Sequence, residues 1–501
     1  MGVKERSTAD AAVVGSGPNG LAAAVTLARA GLSVELFEAA EEIGGGTQTR
    51  EEILPGHFHD VCSAVHPMAV ASPFFQAFEL SQRVDFFTPD ISFATPLDSP
   101  AGSGHSALAY RSLDRTVADL GIDDAAYGKL LRPLVEHLDG LLDLSLNQLI
   151  RVPKDPSTAA AFAAATLRQG TGFWNVGFRE DLAPALLTGA AAHANTQQPS
   201  LTSAGAGLML AALGHAAGWP IPQGGSASIA QAMAQDFRAH GGVIHAGRRV
   251  ESLSELSHTR AVLLDVAPPA FAKMADGRLD AKYERQLEIF RFGNGACKVD
   301  FILNGPVPWQ DSRLANAGTV HVGGTRAQMA AAENEIARGK HPAQPYVLIS
   351  QPSTFDSTRA PEGSHVLWSY CHVPAGSTVD MTEVITAQIE RFAPGFRDVV
   401  VHSKVRTAAG LQAHNSNYVG GDFGAGLMDL RGLIQRPVIS LVPWRTPLAG
   451  VYLCSASTPP GPGVTGMPGF HAAKYALKDI FGLEVPNLAT NSGSAQPCDQ
   501  P

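Results

Sequence analysis

The sequence predicts an α/β fold in which a dinucleotide-binding domain on a parallel sheet is split by stretches of a second, α+β domain. Three observations predict it. The apolar run Ala11–Val14 enters Gly15-Ser16-Gly17-Pro18-Asn19-Gly20, a G-x-G-x-x-G turn, and a helix and a second strand follow. Two later stretches, residues 211–289 and 437–484, return to the same alternation of strand and helix after long excursions of different character. The 501 residues also exceed what one hydrophobic core of ordinary size organises. The expected division is a nucleotide domain from residues 1–71, 211–289 and 437–484, a substrate domain from 72–210 and 290–436, and a disordered tail over 485–501.

In the opening unit each residue has a physical task. Gly15 permits the tight turn, Gly17 lets the backbone approach a pyrophosphate, and Gly20 lets the helix pack close to the strand. The helix runs from about Asn19 to Ala30 and stops at Gly31. Its N-terminal dipole and free N–H groups, with Pro18 and Asn19 at the mouth, face the phosphates. Strand Ser33–Phe37 then delivers Glu38, eighteen positions after Gly20, where a carboxylate accepts from ribose hydroxyls and would repel a 2′-phosphate. Beyond it, Gly44-Gly45-Gly46 with Thr47 and Arg50 add a second glycine-lined backbone. In flavoproteins of the glutathione-reductase type such a doublet lies against the cofactor, and this stretch resembles theirs, so FAD is the expected ligand. With 51 glycines in the chain a bare G-x-G-x-x-G carries little weight; the full order of strand, turn, helix, strand and acid is what gives it meaning.

Composition narrows the function classes. At 45% hydrophobic and 17% charged the chain is globular. Its 37 basic and 46 acidic residues give a net charge of -9 without a Lys/Arg cluster interleaved with aromatics, so nucleic acid is not an expected partner. Cys62, Cys297, Cys371, Cys454 and Cys498 are scattered, odd in number and never in C-x-x-C spacing. That pattern speaks against a disulfide scaffold, a zinc site or a redox dithiol, and suits a reducing cytoplasm. The opening MGVKERSTAD has no apolar export core, and no run of 18 apolar residues exists, so any contact with a membrane is expected to be peripheral. His57, His59 and His66 lie in turn and strand without H-x-x-x-H spacing and read as structural, so no metal site is expected.

From residue 72 to 210 the pattern is mainly helical, as in Ala125–Leu144 and Ala159–Leu167, and reads as a cover over the cofactor. Gly224-Gly225-Ser226 then leads into a helix over Ala227–His240, a Gly-Gly stop, a strand near Val243 and another buried strand over Ala261–Val266. Strands such as Lys298–Leu303 and Val347–Ser350 give residues 290–436 the character of a separate antiparallel sheet. Last, a strand over Leu448–Ser455 runs into the glycine-rich loop Pro459–Gly466 and a helix over His471–Phe481, a second helix N-terminus offered to a ligand.

Together VVGSGPNGLAAAVTLARAGLSVELFEA, LPGHFHDVCSAVHP, PIPQGGS, APEGSHVLW, NYVGGDFGAG and GVYLCSAS followed by GPGVTGMPG resemble the phytoene desaturase-like flavoproteins, over roughly residues 11–481. The resemblance implies non-covalent FAD in a glutathione-reductase-type fold, with carotenoid desaturases, carotenoid isomerases and retinol saturase as relatives acting on long apolar polyenes. It implies flavin contacts at Gly15, Gly17, Gly20, Glu38, Gly45 and Gly46, adenine-side contacts at Val250, and contacts near the isoalloxazine at Gly463, Val464 and Gly466. The chain departs from the family in having Cys454-Ser455 for Cys-Gly and Pro459-Pro460-Gly461-Pro462-Gly463 for His-Pro-Gly-Gly-Gly, so no histidine role carries over to Pro459.

Flavin chemistry asks the protein to orient and desolvate its reactants more than to supply acids and bases. The expected activity is an FAD-dependent oxidoreductase of the desaturase or dehydrogenase kind, moving hydride between flavin and a lipophilic, polyene- or isoprenoid-like substrate. No pocket charge pair is recognisable in the sequence; Phe173, Trp174, Trp368, Tyr370, His372, His414 and Tyr418 are aromatic and imidazole groups that could line the pocket, and of these His414 and Tyr418, beside the NYVGGDF segment, are the candidate catalytic residues. One alternative is an amine-oxidase-type flavin oxidase acting on a smaller polar molecule. Another is a non-enzymatic prenyl binder similar to the Rab GDP-dissociation inhibitors, against which the intact glycines and Glu38 argue. Gly205 and Gly207 lie in an apolar helical run without a preceding strand, so no second, NAD(P)H-binding domain is expected. The oligomeric state is left open.

Overall fold

The computed structural model describes residues 9–98 and 105–490. The chain begins with β1 (Ala11–Val14), α1 (Pro18–Arg29) and β2 (Val34–Phe37). It then leaves for β3 (Ile91–Leu97), β4 (His105–Tyr110) and a helical layer that includes α2 (Pro156–Gln169), α3 (Leu182–Ala192) and α4 (Leu201–Ala216). It returns through α5 (Ala227–Ala239), β5 (Val243–His245) and β6 (Ala261–Leu264), and crosses again into β7 (Gly295–Leu303), β8 (Ala317–Val322), β9 (Val347–Ser350), β10 (His365–Val373) and β11 (Val400–Arg406). It closes with α6 (Ala408–His414), β12 (Val451–Leu453) and α7 (Met467–Ala476).

Two sheets result. The first is parallel throughout, in the order β12-β6-β1-β2-β5, with Ala11 registered between Val34 and Ala261. Its central strand β1 is buried at all four positions, which is why the sequence there is an unbroken apolar run. Helix α1 lies tight against the strand end: a Cβ on Gly20 would sit 2.0 Å from the Gly15 carbonyl oxygen, so only glycine allows that approach. The second sheet runs β11-β7-β10-β9-β8-β3-β4, antiparallel except for the parallel pair β8 and β3. Its outer face is covered by an apolar cluster that includes Phe301, Val320, Ile349, Leu367 and Phe396.

Three sequence expectations change here. Residues 72–210 are not only a helical cover, because they supply β3 and β4 to the second sheet; β3 is buried at all seven positions and so lacks the alternation that marks a half-buried strand. The helix expected over 125–144 is two, Asp124–Glu136 and Leu138–Ser145; the first runs through Pro133, and the break comes at His137, whose φ of -114° and ψ of 43° leave the helical region. The tail expected to be disordered from residue 485 is packed as far as Thr490. Leu488 is buried, Arg29 donates to the carbonyls of Asn487 and Ala489, and Glu79 accepts from the Thr490 backbone N–H. Residues 491–501 of that tail lie outside the described residues.

Asp60 ties the excursions to the first sheet's helices. It ends a short hairpin (Thr49–Glu51 with Phe58–Asp60) and is fully buried. Its Oδ1 accepts from the Thr49 hydroxyl at 2.7 Å and from the Ser226 N–H, at the head of α5, at 2.8 Å. Its Oδ2 meets the equally buried Arg359, from the segment between β9 and β10, at 2.8 Å. Replacing Asp60 with Ala strands a buried guanidinium, and the expected loss is about 3–5 kcal/mol of unfolding free energy. A urea titration that found Asp60→Ala within 1 kcal/mol of wild type would remove this cluster's structural role.

Candidate functional site

A cavity of about 1230 Å³ lies between the glycine turn of the first sheet and the inner face of the second. One end is built by the opening unit. Gly15, Gly17, Pro18 and Asn19 line it, and Glu38 stands beside them with Val250 further out. The doublet Gly45-Gly46 forms the adjoining wall: a Cβ on Gly45 would be 2.9 Å from the Cα of Gly17, so the two glycine backbones pass in contact. Gly463 and Val464 line the cavity from the C-terminal loop.

Three other residues expected to contact a cofactor are placed elsewhere. Gly20 is buried behind the turn and gives its N–H to Asp265 Oδ2 at 3.0 Å. Thr47 is buried with its hydroxyl donated to the Gly44 carbonyl at 2.8 Å, closing the turn rather than facing the cavity. Gly466 heads α7 with φ +67°, and a Cβ there would meet Phe74 at 2.5 Å and Ala22 at 3.0 Å. Its freedom serves packing against α1, not the cavity wall.

The donor set fits a dinucleotide. Glu38 Oε2 accepts from the Ser16 N–H at 2.9 Å and the Ser16 hydroxyl at 2.6 Å, and Oε1 accepts from the Ala40 N–H at 2.9 Å. These three bonds fix the carboxylate on the cavity wall and leave one acceptor position, on Oε1, for a ribose hydroxyl. Asn19 Oδ1, at the mouth of α1, is buried without a partner among the described residues. A ligand hydroxyl would satisfy it.

Asp265, just beyond β6, carries no sequence signal, yet the turn is seated on it. A Cβ on Gly15 would lie 2.7 Å from its carbonyl oxygen and a Cβ on Gly17 would lie 2.8 Å from Oδ2. Burial, partly offset by the Gly20 N–H and reinforced by Glu38, pushes its carboxyl up to about 7. It lines the cavity where an anionic pyrophosphate would sit, so the neutral acid is the form compatible with that ligand.

The other end rests on the second sheet. His321 on β8, Leu348 on β9, Tyr370 on β10 and Lys298 on β7 face one another in register across four strands. Lys298 lines the cavity and is ion-paired with Asp300, two residues on along the same strand face, both about 4% exposed. Sequence reading missed this pair, although Lys-x-Asp within a strand is a signal that two charges share a face. Behind it, His59 Nδ1 lies 3.6 Å from Asp300 Oδ1.

Both candidate catalytic residues line the cavity between the two ends. The Tyr418 hydroxyl lies over Gly46, where a Cβ would come within 2.5 Å of it, and burial beside Cys62 raises its pKa well above the ordinary value. His414 ends α6; desolvation first, then Arg406 and Arg50, lower its pKa to about 4, so it is neutral at pH 7. Burial also raises the Cys62 thiol, which keeps it from acting as a thiolate. Among the described residues no three His, Cys, Asp or Glu side chains converge for a metal, and no helix is long and apolar enough to cross a membrane.

Comparison with known proteins agrees with this geometry. Residues 13–78 match the model of the NAD(P)-binding Rossmann-like domain. Over 95% of its length the chain is 25% identical to pyridine nucleotide-disulfide oxidoreductase domain-containing protein 2 of Rattus norvegicus, covering 94% of that protein. A shorter match, 32% identical over 25% of this chain and 26% of the relative, is to the 4,4'-diapolycopen-4-al dehydrogenase of Metabacillus indicus. The chain is a homologue of these oxidoreductases. A redesigned putrescine oxidase of solved structure shares its fold, with a TM-score of 0.59 at 16% identity over 95% of this chain and 99% of the other.

In this oxidoreductase homologue Asp265 makes stability depend on pH. Its folded-state pKa is raised above the unfolded value near 3.8, so the folded state keeps a proton that the unfolded chain releases. Its contribution therefore falls as pH rises from about 4 to about 7 and is flat above. Asp265→Asn keeps an acceptor for Gly20 without the charge. It should gain on the order of 1–3 kcal/mol over wild type at pH 8 and nothing at pH 4. Parallel stability curves for the two proteins across that range would contradict the assignment.

Proposed function

We propose that this chain is an FAD-dependent oxidoreductase of the desaturase or dehydrogenase kind, with a glutathione-reductase-type cofactor domain and a lipophilic, extended substrate. The observation that carries the reading is the continuity of the cavity. One space joins the Glu38 and glycine-turn end to a chamber walled by Met209, Leu210, Trp219, Leu348 and Trp368. When bound, FAD would supply hydride transfer. Glu38 would hold its ribose, the N-terminus of α1 its pyrophosphate, and Gly45, Gly46, Gly463 and Val464 its remaining length. The chain's own residues then bind, orient and dry the substrate beside Tyr418 and Lys298. An apolar chain gains roughly 25 cal/mol for each Å² it buries there.

Substrate entry fits the same reading. Leu149, Leu167 and Leu430 line the cavity and are 54%, 56% and 51% exposed, so the chamber opens through an apolar rim. Ile150, Val152 and Ile434 extend that exposed surface, and Arg151 lies within it. Such a rim suits peripheral contact with a lipid surface inside the cell. The amine-oxidase alternative needs a carboxylate for a substrate ammonium. The acids on the cavity wall, Glu38, Glu251 and Asp265, all belong to the nucleotide end, whereas the chamber holds the Lys298 ammonium. A non-enzymatic prenyl binder would have no use for Glu38 and its fixed geometry.

The purified protein is expected to be yellow and to release FAD, not FMN, on heat denaturation. Glu38→Ala removes charge-assisted bonds worth roughly 1.5–3 kcal/mol each, so FAD affinity should fall about 10–100-fold. Anaerobic photometry with polyenes, fatty alcohols, amines and amino acids tests the substrate class. Bleaching by a small amine alone would overturn it, as would a folded protein that takes up no flavin.

A further inference from the structure

Behind the chamber, at the edge of the row that begins with Lys298, two histidines meet. His193 follows α3 and lines the cavity; its Nε2 lies 3.1 Å from the Nε2 of His321 on β8, which is fully buried. The contact exists because α3 has Gly189 one turn earlier: a Cβ there would be 2.5 Å from His321 Nδ1, so the helix can lie directly on the ring. Around the pair are apolar and aromatic groups. Trp219 stands edge-on to His193 at 5.2 Å, and Phe93 and Tyr346 flank His321 at 5.5 and 5.7 Å.

The hydrogen bond between the rings fixes what faces the cavity. One Nε2 must donate and the other accept. If His193 donated, His321 would carry its proton on Nδ1, a buried N–H with no partner, since that atom makes no hydrogen bond among the described residues. If His321 donates, its Nδ1 is a bare lone pair, the less costly atom to leave unpaired in a protein interior. His193 then accepts at Nε2 and carries its proton on Nδ1, which has no protein partner among the described residues and belongs to a cavity-lining ring. Burial lowers the pKa of His193 to about 3 and that of His321 well below its ordinary value, so the pair is uncharged at pH 7.

We infer that His193 Nδ1–H is the recognition point for a single uncharged oxygen, carbonyl or hydroxyl, at the far end of an otherwise apolar substrate. This rests on the lipophilic-substrate reading and deepens it. Four strands carry the row from His321 to Lys298, three spacings of about 4.8 Å, so the histidine pair and the Lys298 end, where the chemistry is proposed, stand on backbone about 14 Å apart. His193 is thus a specificity-determining and positioning residue that sets which carbon of a long chain reaches the reaction end. A neutral donor selects an oxygen terminus over a hydrocarbon terminus, and does so without the charge that would demand an ionic partner.

The test uses the flavin-loaded full chain and binding alone. Trp219 and Trp368 line the cavity, so their emission reports occupancy without turnover. The probes are hexadecanal, 1-hexadecanol and hexadecane in a common detergent. Wild type is expected to bind the two oxygenated chains about tenfold or more tighter than hexadecane. His193→Phe, which keeps the ring volume, should erase that preference while retaining flavin, with a lowered melting temperature because the buried His321 N–H loses its acceptor. His193→Asn, whose Oδ1 can accept that N–H while its amide N–H faces the cavity, should restore part of both. Equal affinities in wild type, or a preference that survives His193→Phe, overturn the inference and leave the lipophilic cavity standing. Failure of all three probes to bind wild type overturns both. Should His193→Phe not fold, histidine ¹⁵N shifts of wild type decide: a proton on Nδ1 of His193 supports the inference, and one on Nε2 overturns it.

Discussion

The buried carboxylate of Asp60 is the constraint on which the site depends. The cavity has one wall from each sheet, and the sheets are made from segments that alternate along the chain, so nothing local fixes one wall against the other. Asp60 does so, beside ties such as His57 to Ser364 and Arg406 to Glu52, with three contacts from three parts of the chain: Thr49 beside the glycine doublet, Ser226 at the head of α5, and Arg359 from the segment between β9 and β10. Beside the ion pair a hydroxyl and an N–H bond Asp60 Oδ1, while Arg359 Nη1 has no partner among the described residues, so the cluster serves to fix geometry and is costly to break. The same hairpin positions His59 against Asp300 and so steadies the base of Lys298.

Within the first sheet, the glycine turn is held from below rather than by its own loop. Asp265 takes the Gly20 N–H and presses against Gly15 and Gly17, while Ser16 between them is bound to Glu38. The ribose acid and the phosphate turn are therefore one rigid object before any ligand arrives, which lowers the ordering cost of binding. The cost of that arrangement is two acids close together at the point where a pyrophosphate would add more negative charge. The raised pKa of Asp265, about 7, eases it, because the carboxyl can take up a proton near neutral pH at little cost.

The nucleotide half was legible in the sequence because its signals are local. Strand, turn, helix, strand and acid follow one another within Ala11–Glu38, and the spacing alone gives the geometry. Gly466 and Thr47 show the limit of motif reading. Both sit inside glycine-rich loops that reach the cavity, yet one serves helix packing and the other closes a turn. The chamber was legible only in part: of the aromatic and imidazole groups the sequence offers for a pocket, Trp368 and Tyr370 line it with His414 and Tyr418, whereas Phe173, Trp174 and His372 do not. The row joining residues 298, 321, 348 and 370 was hidden because register is set by pairings that periodicity does not reveal. Strand β3 escaped for a related reason: buried on both faces, it has no alternation to read. The packed tail escaped because its anchors are non-local: Leu488 is buried between Asn487 and Ala489, whose carbonyls accept from Arg29 at the other end of the chain.

The distribution of charge along the cavity sets what each end can accept. At the nucleotide end, acids and backbone N–H groups sit among Arg248 and Arg249, a polar setting in which a charged, hydroxyl-rich ligand replaces water bonds with protein bonds. Further in, Lys298 is already neutralised by Asp300, and the histidine pair beyond it is uncharged. An anion placed there would compete with Asp300 for the Lys298 ammonium, while the buried Arg436 guanidinium on the same wall already gives its N–H groups to the carbonyls of Gly424, Gly426 and Ala456. A cation would meet the ammonium with no free carboxylate on the chamber wall among the described residues. In a space walled by Trp219, Leu348 and Trp368, where the local dielectric is low, either ion loses more hydration than the wall returns. On the proposed reading such a chamber would discriminate by charge first and by length second, and both would follow from one strand-crossing row whose only ionic group, Lys298, is already paired with Asp300.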